Sequence, residues 1–169
     1  YGFLNNINRN ALAKICIKNY KNHKNRRTEA MDKFFYEDIF IPFDKHIKEI
    51  ASQMSMSYEN HFGKTLSTIP GPGTHWAQVH YKNESTQYHD HLNKGVDVVG
   101  AYYVKMPPNG GDLMLRYKKH ELDRSEWIFP PEENKFIIFD SGLVHGVSRN
   151  RSNNPRICIS INFKINEKK

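Results

Sequence analysis

The stretch Tyr88-His89-Asp90-His91 holds two imidazoles one residue apart. Side chains alternate along an extended strand, so His89 and His91 emerge from one face about 6.6 Å apart while Asp90 points to the other. That spacing lets both rings close on one metal ion, whereas Asp90 would need a bend or bulge to join them. A lone H-x-H is more often a polar surface pair than a ligand set, so its weight depends on other histidines. His145 supplies it. It follows the apolar run Phe136-Ile137-Ile138-Phe139 and a Gly-containing turn, and precedes Val147 at the start of another strand-like segment. Alone it would read as a satisfied core or rim residue. With the earlier pair it makes three neutral imidazoles, a set suited to iron, zinc or copper rather than to calcium or magnesium. The other six of the nine histidines lack this arrangement and read as ordinary polar residues.

A second group suits an anion. In Pro155-Arg156-Ile157-Cys158-Ile159-Ser160-Ile161-Asn162-Phe163, the odd positions from Ile157 onward are apolar and the even ones polar or small. One face packs on a hydrophobic layer while Arg156, Cys158, Ser160 and Asn162 look into something polar. A guanidinium on an inward face needs an anion, because burying it unpaired is costly. An internal carboxylate or a bound one would serve, and on residue pattern alone the internal salt bridge is the simpler expectation.

These residues need elements to hold them. The 169 residues suit one integrated domain with a real core. Residues 1–73 read as a helical support with a basic, partly mobile segment. A helical patch spans Ala11 to Ile17, Met31, Phe34, Phe35, Ile39 and Ile41 recur near helical spacing until Pro42, and Phe43, Ile47, Ile50, Ala51 and Met54 mark a further helix. Such apolar stripes are core, with no chemistry assigned. Ile69-Pro70-Gly71-Pro72-Gly73 ends the helical half. Residues 74–169 read as strands: Trp76 to Tyr81, Val96 to Lys105, Asp112 to Tyr117, Trp127 to Phe129, Phe136 to Phe139, Val144 to Ser148 and Arg156 to Ile165. Short turns without helical crossovers predict a mainly β fold with N-terminal helices, an antiparallel double-stranded β-helix or jelly roll.

No apolar run approaches the length that crosses a bilayer. Cys16 and Cys158, far apart in sequence, read as buried free thiols, which fits a reducing, cytoplasmic setting. The net charge of +7 owes much to Lys18, Lys21, Lys24, Arg26, Arg27, Lys168 and Lys169, more simply a solvated basic face than an acidic partner's site. The chain opens on Tyr1 rather than Met, which reads as a trimmed or partial start with upstream signals left open.

From Trp76 to Phe163 the sequence resembles the core of the 2-oxoglutarate- and Fe(II)-dependent dioxygenases. The likeness is greatest to the prolyl hydroxylase branch and to short phage and marine-bacterial members with H-x-H. It rests on the strand ending in Tyr81, the pair His89 and His91, the Tyr102-Tyr103 strand, Gly110-Gly111-Asp112-Leu113, the Phe136 to Phe139 strand leading to His145, and an arginine eleven residues later. The resemblance implies that His89, His91 and His145 bind iron, with His91 where the family usually has an aspartate and Asp90 as its rival. It implies that Arg156 meets the distal carboxylate of 2-oxoglutarate, aided by Tyr103, with Leu113 lining the pocket and Tyr81, Ser160 and Asn162 nearby. Cys158 falls where several relatives have a serine.

The implied activity is hydroxylation of a C–H bond with release of succinate and CO2, using Fe(II), 2-oxoglutarate and O2, with ascorbate an open addition. The implied substrate is a peptide or protein, flanked by residues 83–87 and 118–125, in the cytoplasm or, for a phage-encoded protein, the host's. The basic charge, with Arg149 and Arg151, keeps a nucleic-acid demethylase open. A metal-stabilised binding module without turnover and a cupin-like three-histidine oxygenase independent of 2-oxoglutarate are the remaining alternatives.

Overall fold

β10 (Arg156–Asn166) is the longest strand of the computed structural model, which describes residues 1–23, 45–70, 74–92, 95–116 and 125–166. One edge of β10 pairs with β5 (Val98–Lys105). The other pairs with β3 (His75–His80) along Arg156 to Ile161 and with β2 (Thr65–Thr68) along Phe163 to Asn166. β8 (Lys135–Asp140) lies beyond β5, and β1 (Gly2–Phe3) beyond β8. A second sheet runs β4 (Thr86–His89), β9 (Val144–Val147), β6 (Leu113–Arg116) and β7 (Glu126–Phe129). Every pairing is antiparallel, and the two sheets form the jelly roll that the turn spacing predicts.

Alternation along the strands sorts the core into two layers. Ile157, Ile159, Ile161 and Phe163 of β10 join Val98, Tyr102 and Val104 of β5 beneath the helices. Cys158 joins Val99, Tyr103, Leu113, Phe129 and Val147 between the sheets. The even face of β10 therefore opens toward the smaller sheet, which is what directs Arg156 inward.

Two helices cover the outer face of the larger sheet. α1 (Arg9–His23) starts behind Asn8, whose Oδ1 accepts the Ala11 N–H at 3.1 Å and caps one of the exposed first-turn donors. Leu12, Cys16 and Tyr20, spaced four apart, are its buried stripe. α2 (Lys45–Phe62) buries Ile47, Ile50, Ala51 and Met54, as the periodicity predicts, and stops at Gly63, whose φ of 69° lets its N–H reach the Glu59 carbonyl at 2.7 Å. The helical pattern from Met31 to Ile41, the basic residues Lys24, Arg26 and Arg27, and the turn at residues 71–73 lie outside the described residues.

β1 and β2 are strands where only a helical support is predicted. Neither is long enough for a period of two to stand out. β2 is fixed from outside: the Ser55 hydroxyl of α2 donates to the Leu66 carbonyl at 3.0 Å and accepts the Leu66 N–H at 2.9 Å.

Gly100 and Gly111 permit two of the close approaches in the fold. At Gly100 a Cβ would sit 2.7 Å from Met54 Sδ, so α2 packs on the sheet at a position with no side chain. Gly111 combines a φ of 93° with a Cβ position 2.3 Å from the Ser148 carbonyl oxygen. Gly111→Ala is expected to lower stability by on the order of 3 kcal/mol through strain plus overpacking. Gly95→Ala, where φ is 65° and only Lys164 Nζ lies within 4.0 Å, should lose about 1 kcal/mol. Urea-unfolding midpoints rank the two, and equal midpoints would show that the Gly111 turn relaxes freely.

Candidate metal centre

His89 and His145 are direct cross-strand partners on β4 and β9, with ring centroids 4.3 Å apart. His91 lies two residues past the end of β4. Its N–H donates to the Ser141 carbonyl at 2.8 Å, which turns the chain inward, and its ring stands 5.3 Å from His89 and 5.1 Å from His145. One ligand nitrogen from each ring falls within 4.8 Å of the others. Simple alternation is thus not how the pair converges: the β4–β9 register shifts between Thr86 and His89, and the strand stops before His91. Asp90 is exposed, and its Oδ1 accepts the Leu92 N–H at 3.3 Å, so it stands outside the cluster.

Backbone carbonyls set the tautomers. His89 Nδ1 is 2.8 Å from the Gln87 carbonyl oxygen, and His145 Nδ1 is 2.8 Å from that of Leu143. A carbonyl only accepts, so both Nδ1 atoms carry the proton and Nε2 keeps the ligating lone pair. His91 Nδ1 lies 2.9 Å from Asn162 Oδ1. Burial lowers the pKa of His145 to about 3, reinforced by repulsion from His89 and opposed by the Leu143 carbonyl. The neutral imidazole is the form that binds a metal. Phe139 meets His145 edge-on at 4.8 Å and Trp76 lies 5.7 Å from His91, walls that limit ring motion. Three neutral nitrogen donors on constrained rings fit Fe(II).

Behind the histidines lies an anion pocket. Arg156 is 1% exposed, and its Nε and Nη1 have no hydrogen-bond partner among the described residues; nor does the buried Tyr103 hydroxyl. The guanidinium carbon is 5.6 Å from the Tyr103 ring centroid. Leu113, Cys158 and Ser160 line the same cavity as His89, His145, Tyr103 and Arg156. No carboxylate lines it among the described residues, so the internal salt bridge expected from residue pattern is not what the structure shows. Burial raises the Tyr103 pKa far above the usual phenol range, and it pushes the Cys158 thiol up to about 11 against the pull of Arg156. Both stay protonated, leaving one fixed positive charge and a hydroxyl donor between apolar walls. Asn162 reaches the cluster through His91.

Tyr81 does not join the site. It lies just past β3 on the helix side, its ring 4.9 Å from that of Tyr20. The physical reason is the alternation of β3, which sends Trp76 and Gln78 into the cavity instead. These two sequence reasoning missed. They are the cross-strand partners of Ser160 and Cys158, a relation that only the β3–β10 register reveals. Arg149 and Arg151 are exposed beyond the end of β9 opposite His145, against the loop around Asn109 rather than beside the histidines.

The depressed pKa of His145 has a direct consequence for the metal-free protein. Its folded value lies below the unfolded value of about 6.5, so below that pH the unfolded chain binds a proton that the folded one refuses. The contribution is fully present above about pH 6.5 and is lost progressively as pH falls toward about 3. Urea unfolding of the metal-free protein from pH 7 to pH 4 should show this slope, and His145→Gln should reduce it.

A family model described as "Putative 2OG-Fe(II) oxygenase" matches residues 74–162, just over half of the chain. No curated protein matches the sequence. Among solved structures, a prolyl-4-hydroxylase from Pseudomonas putida shares 13% identity at a TM-score of 0.60, covering 92% of this chain and 80% of that one. SnoK, an alpha ketoglutarate dependent carbocyclase from nogalamycin biosynthesis, shares 12% at 0.66, covering 95% and 76%. A 2OG-Fe(II) oxygenase family oxidoreductase from Burkholderia pseudomallei shares 13% at 0.57, covering 73% of this chain, which spans only 59% of that one. At these identities the likeness is one of fold. The family match contains His89, His91, His145, Tyr103, Leu113 and Arg156, and the chain belongs to the 2OG-Fe(II) oxygenase family, whose chemistry uses Fe(II), 2-oxoglutarate and O2.

Proposed function

We propose that the protein holds Fe(II) through His89, His91 and His145 and 2-oxoglutarate through Arg156 and Tyr103, and hydroxylates a C–H bond of a peptide or protein. Succinate and CO2 are the co-products. The observation that carries this reading is the sharing of one cavity by His89, His145 and a buried arginine whose Nε and Nη1 have no hydrogen-bond partner among the described residues. A histidine cluster retained for stability alone would not need that arginine, which disfavours a binding module without turnover. It equally disfavours a three-histidine oxygenase that works without a dicarboxylate.

Iron and its cosubstrate supply the oxidation when bound. The chain positions and encloses them. Arg156 and the Tyr103 hydroxyl donate to the distal carboxylate, Leu113 packs on the carbon chain, and Ser160 offers a further polar contact. Helices α1 and α2 support the larger sheet from its outer face, and β1 and β2 extend its edges.

The direct cross-strand pairs His89–His145, His145–Leu115 and Leu115–Trp127 form one row across the smaller sheet. Cross-strand partners share a face, so Trp127, 59% exposed, stands on the same face as the histidines. Leu92, 61% exposed, lies one residue past His91. Such apolar side chains near the cluster favour a substrate with carbon surface, as a peptide has. The remote placement of Arg149 and Arg151 weakens the nucleic-acid alternative. Cys16 and Cys158, both buried and not joined in a disulfide, support a cytoplasmic setting, and H-x-H supports the likeness to short phage members.

Arg156→Ala is expected to abolish 2-oxoglutarate binding to the metal-loaded protein while metal uptake persists. His145→Ala should abolish iron-dependent succinate formation. Unchanged turnover in either variant would sink the assignment. Succinate release stimulated by oligonucleotides but not by a proline-containing peptide library would move the substrate to nucleic acid.

A further inference from the structure

The three histidines are not held alike. Nδ1 of His89 and of His145 each meets the backbone carbonyl two residues upstream, a contact that no side-chain replacement removes. His91 instead meets a side chain seventy-one positions away, Asn162 Oδ1 at 2.9 Å. Both partners are buried, at 1% and 2% exposure. Asn162 is itself anchored, because its N–H donates to the Thr74 carbonyl at 2.8 Å and it pairs with Val99 of β5 within the larger sheet.

We propose that Asn162 is the positioning residue that makes His91 a metal ligand, by accepting the Nδ1 proton and so presenting Nε2 to the cluster. The inference rests on the function proposed above and adds to it the device by which an imidazole takes the third ligand place. Asn162 has to be an acceptor toward His91, because an N–H facing an N–H would leave two buried donors in opposition. It is also neutral. A carboxylate there would place a negative charge one hydrogen bond from the ring and strengthen the imidazole as a donor; the amide fixes the tautomer and orientation without adding charge. Removing the acceptor leaves a buried N–H without its partner, and ring rotation that exchanges the two nitrogens becomes the easiest relief.

The test uses the metal-free full chain and Co(II) as the probe, with Asn162→Leu and Asn162→Asp. Asn162→Leu should weaken Co(II) binding by about 10- to 100-fold, measured by competition with a chromophoric chelator. Long-range proton–nitrogen NMR of the metal-free protein should show His91 protonated at Nδ1 in the parent and mixed between nitrogens in Asn162→Leu. Asn162→Asp, which restores an acceptor, should bind Co(II) at least as tightly as the parent. Thermal unfolding separates a general loss of fold from the specific effect. Parent-like affinity and tautomer in Asn162→Leu would overturn the proposal, as would an Asn162→Asp variant that is folded yet as weak as Asn162→Leu. Binding of 2-oxoglutarate to the Co(II)-loaded parent reads the functional assignment separately: its failure would count against that assignment while leaving the role of Asn162 standing.

Discussion

A guanidinium buried between two β-sheets, with two of its nitrogens lacking acceptors among the described residues, is the constraint on which the rest of this structure depends. An unpaired charge in such a place is strongly unfavourable, and among the described residues no carboxylate lines its pocket to relieve it. The surroundings do the reverse. Tyr103 adds a second donor, Cys158 stays a neutral thiol, and Leu113 and Val99 are apolar walls. Such a pocket suits the carboxylate of the cosubstrate proposed above.

The histidine cluster follows a complementary logic. Burial, reinforced by repulsion from His89 and His91, keeps the His145 imidazole neutral. A centre without a carboxylate ligand leaves a divalent metal with its full charge, and a dicarboxylate bound across the metal and Arg156 would compensate both. The acidic residue nearest in sequence, Asp90, is turned to the surface in a local bond to Leu92. The positive character of the site is thus a property of the fold as well as of the residue list.

The two layers of the core divide structure from chemistry. Beneath the helices, the odd positions of β10 pack on Leu12, Cys16, Ile47, Ile50 and Met54 in an apolar layer. Between the sheets the even positions face the histidines, and the pocket is completed by small, aromatic and polar residues. One strand with a strict period of two separates them, so a one-residue slip of β10 would exchange the layers. Long pairings with both β3 and β5 hold that register.

Much of this was legible in the sequence because it depends on local period and spacing. Helix α2 and its buried stripe, most of the strand segments, the two-faced alternation of β10 and the H-x-H pair come from patterns within short windows. The tertiary structure decided what two distant segments do to each other. It joined His91 to Asn162, turned Tyr81 toward Tyr20 and away from the cavity, brought Trp76 and Gln78 in, and lined the Arg156 pocket with no carboxylate among the described residues. Each of these depends on which strand neighbours which and in what register. Alternation states that a strand has two faces; only the packed neighbours determine which face looks inward.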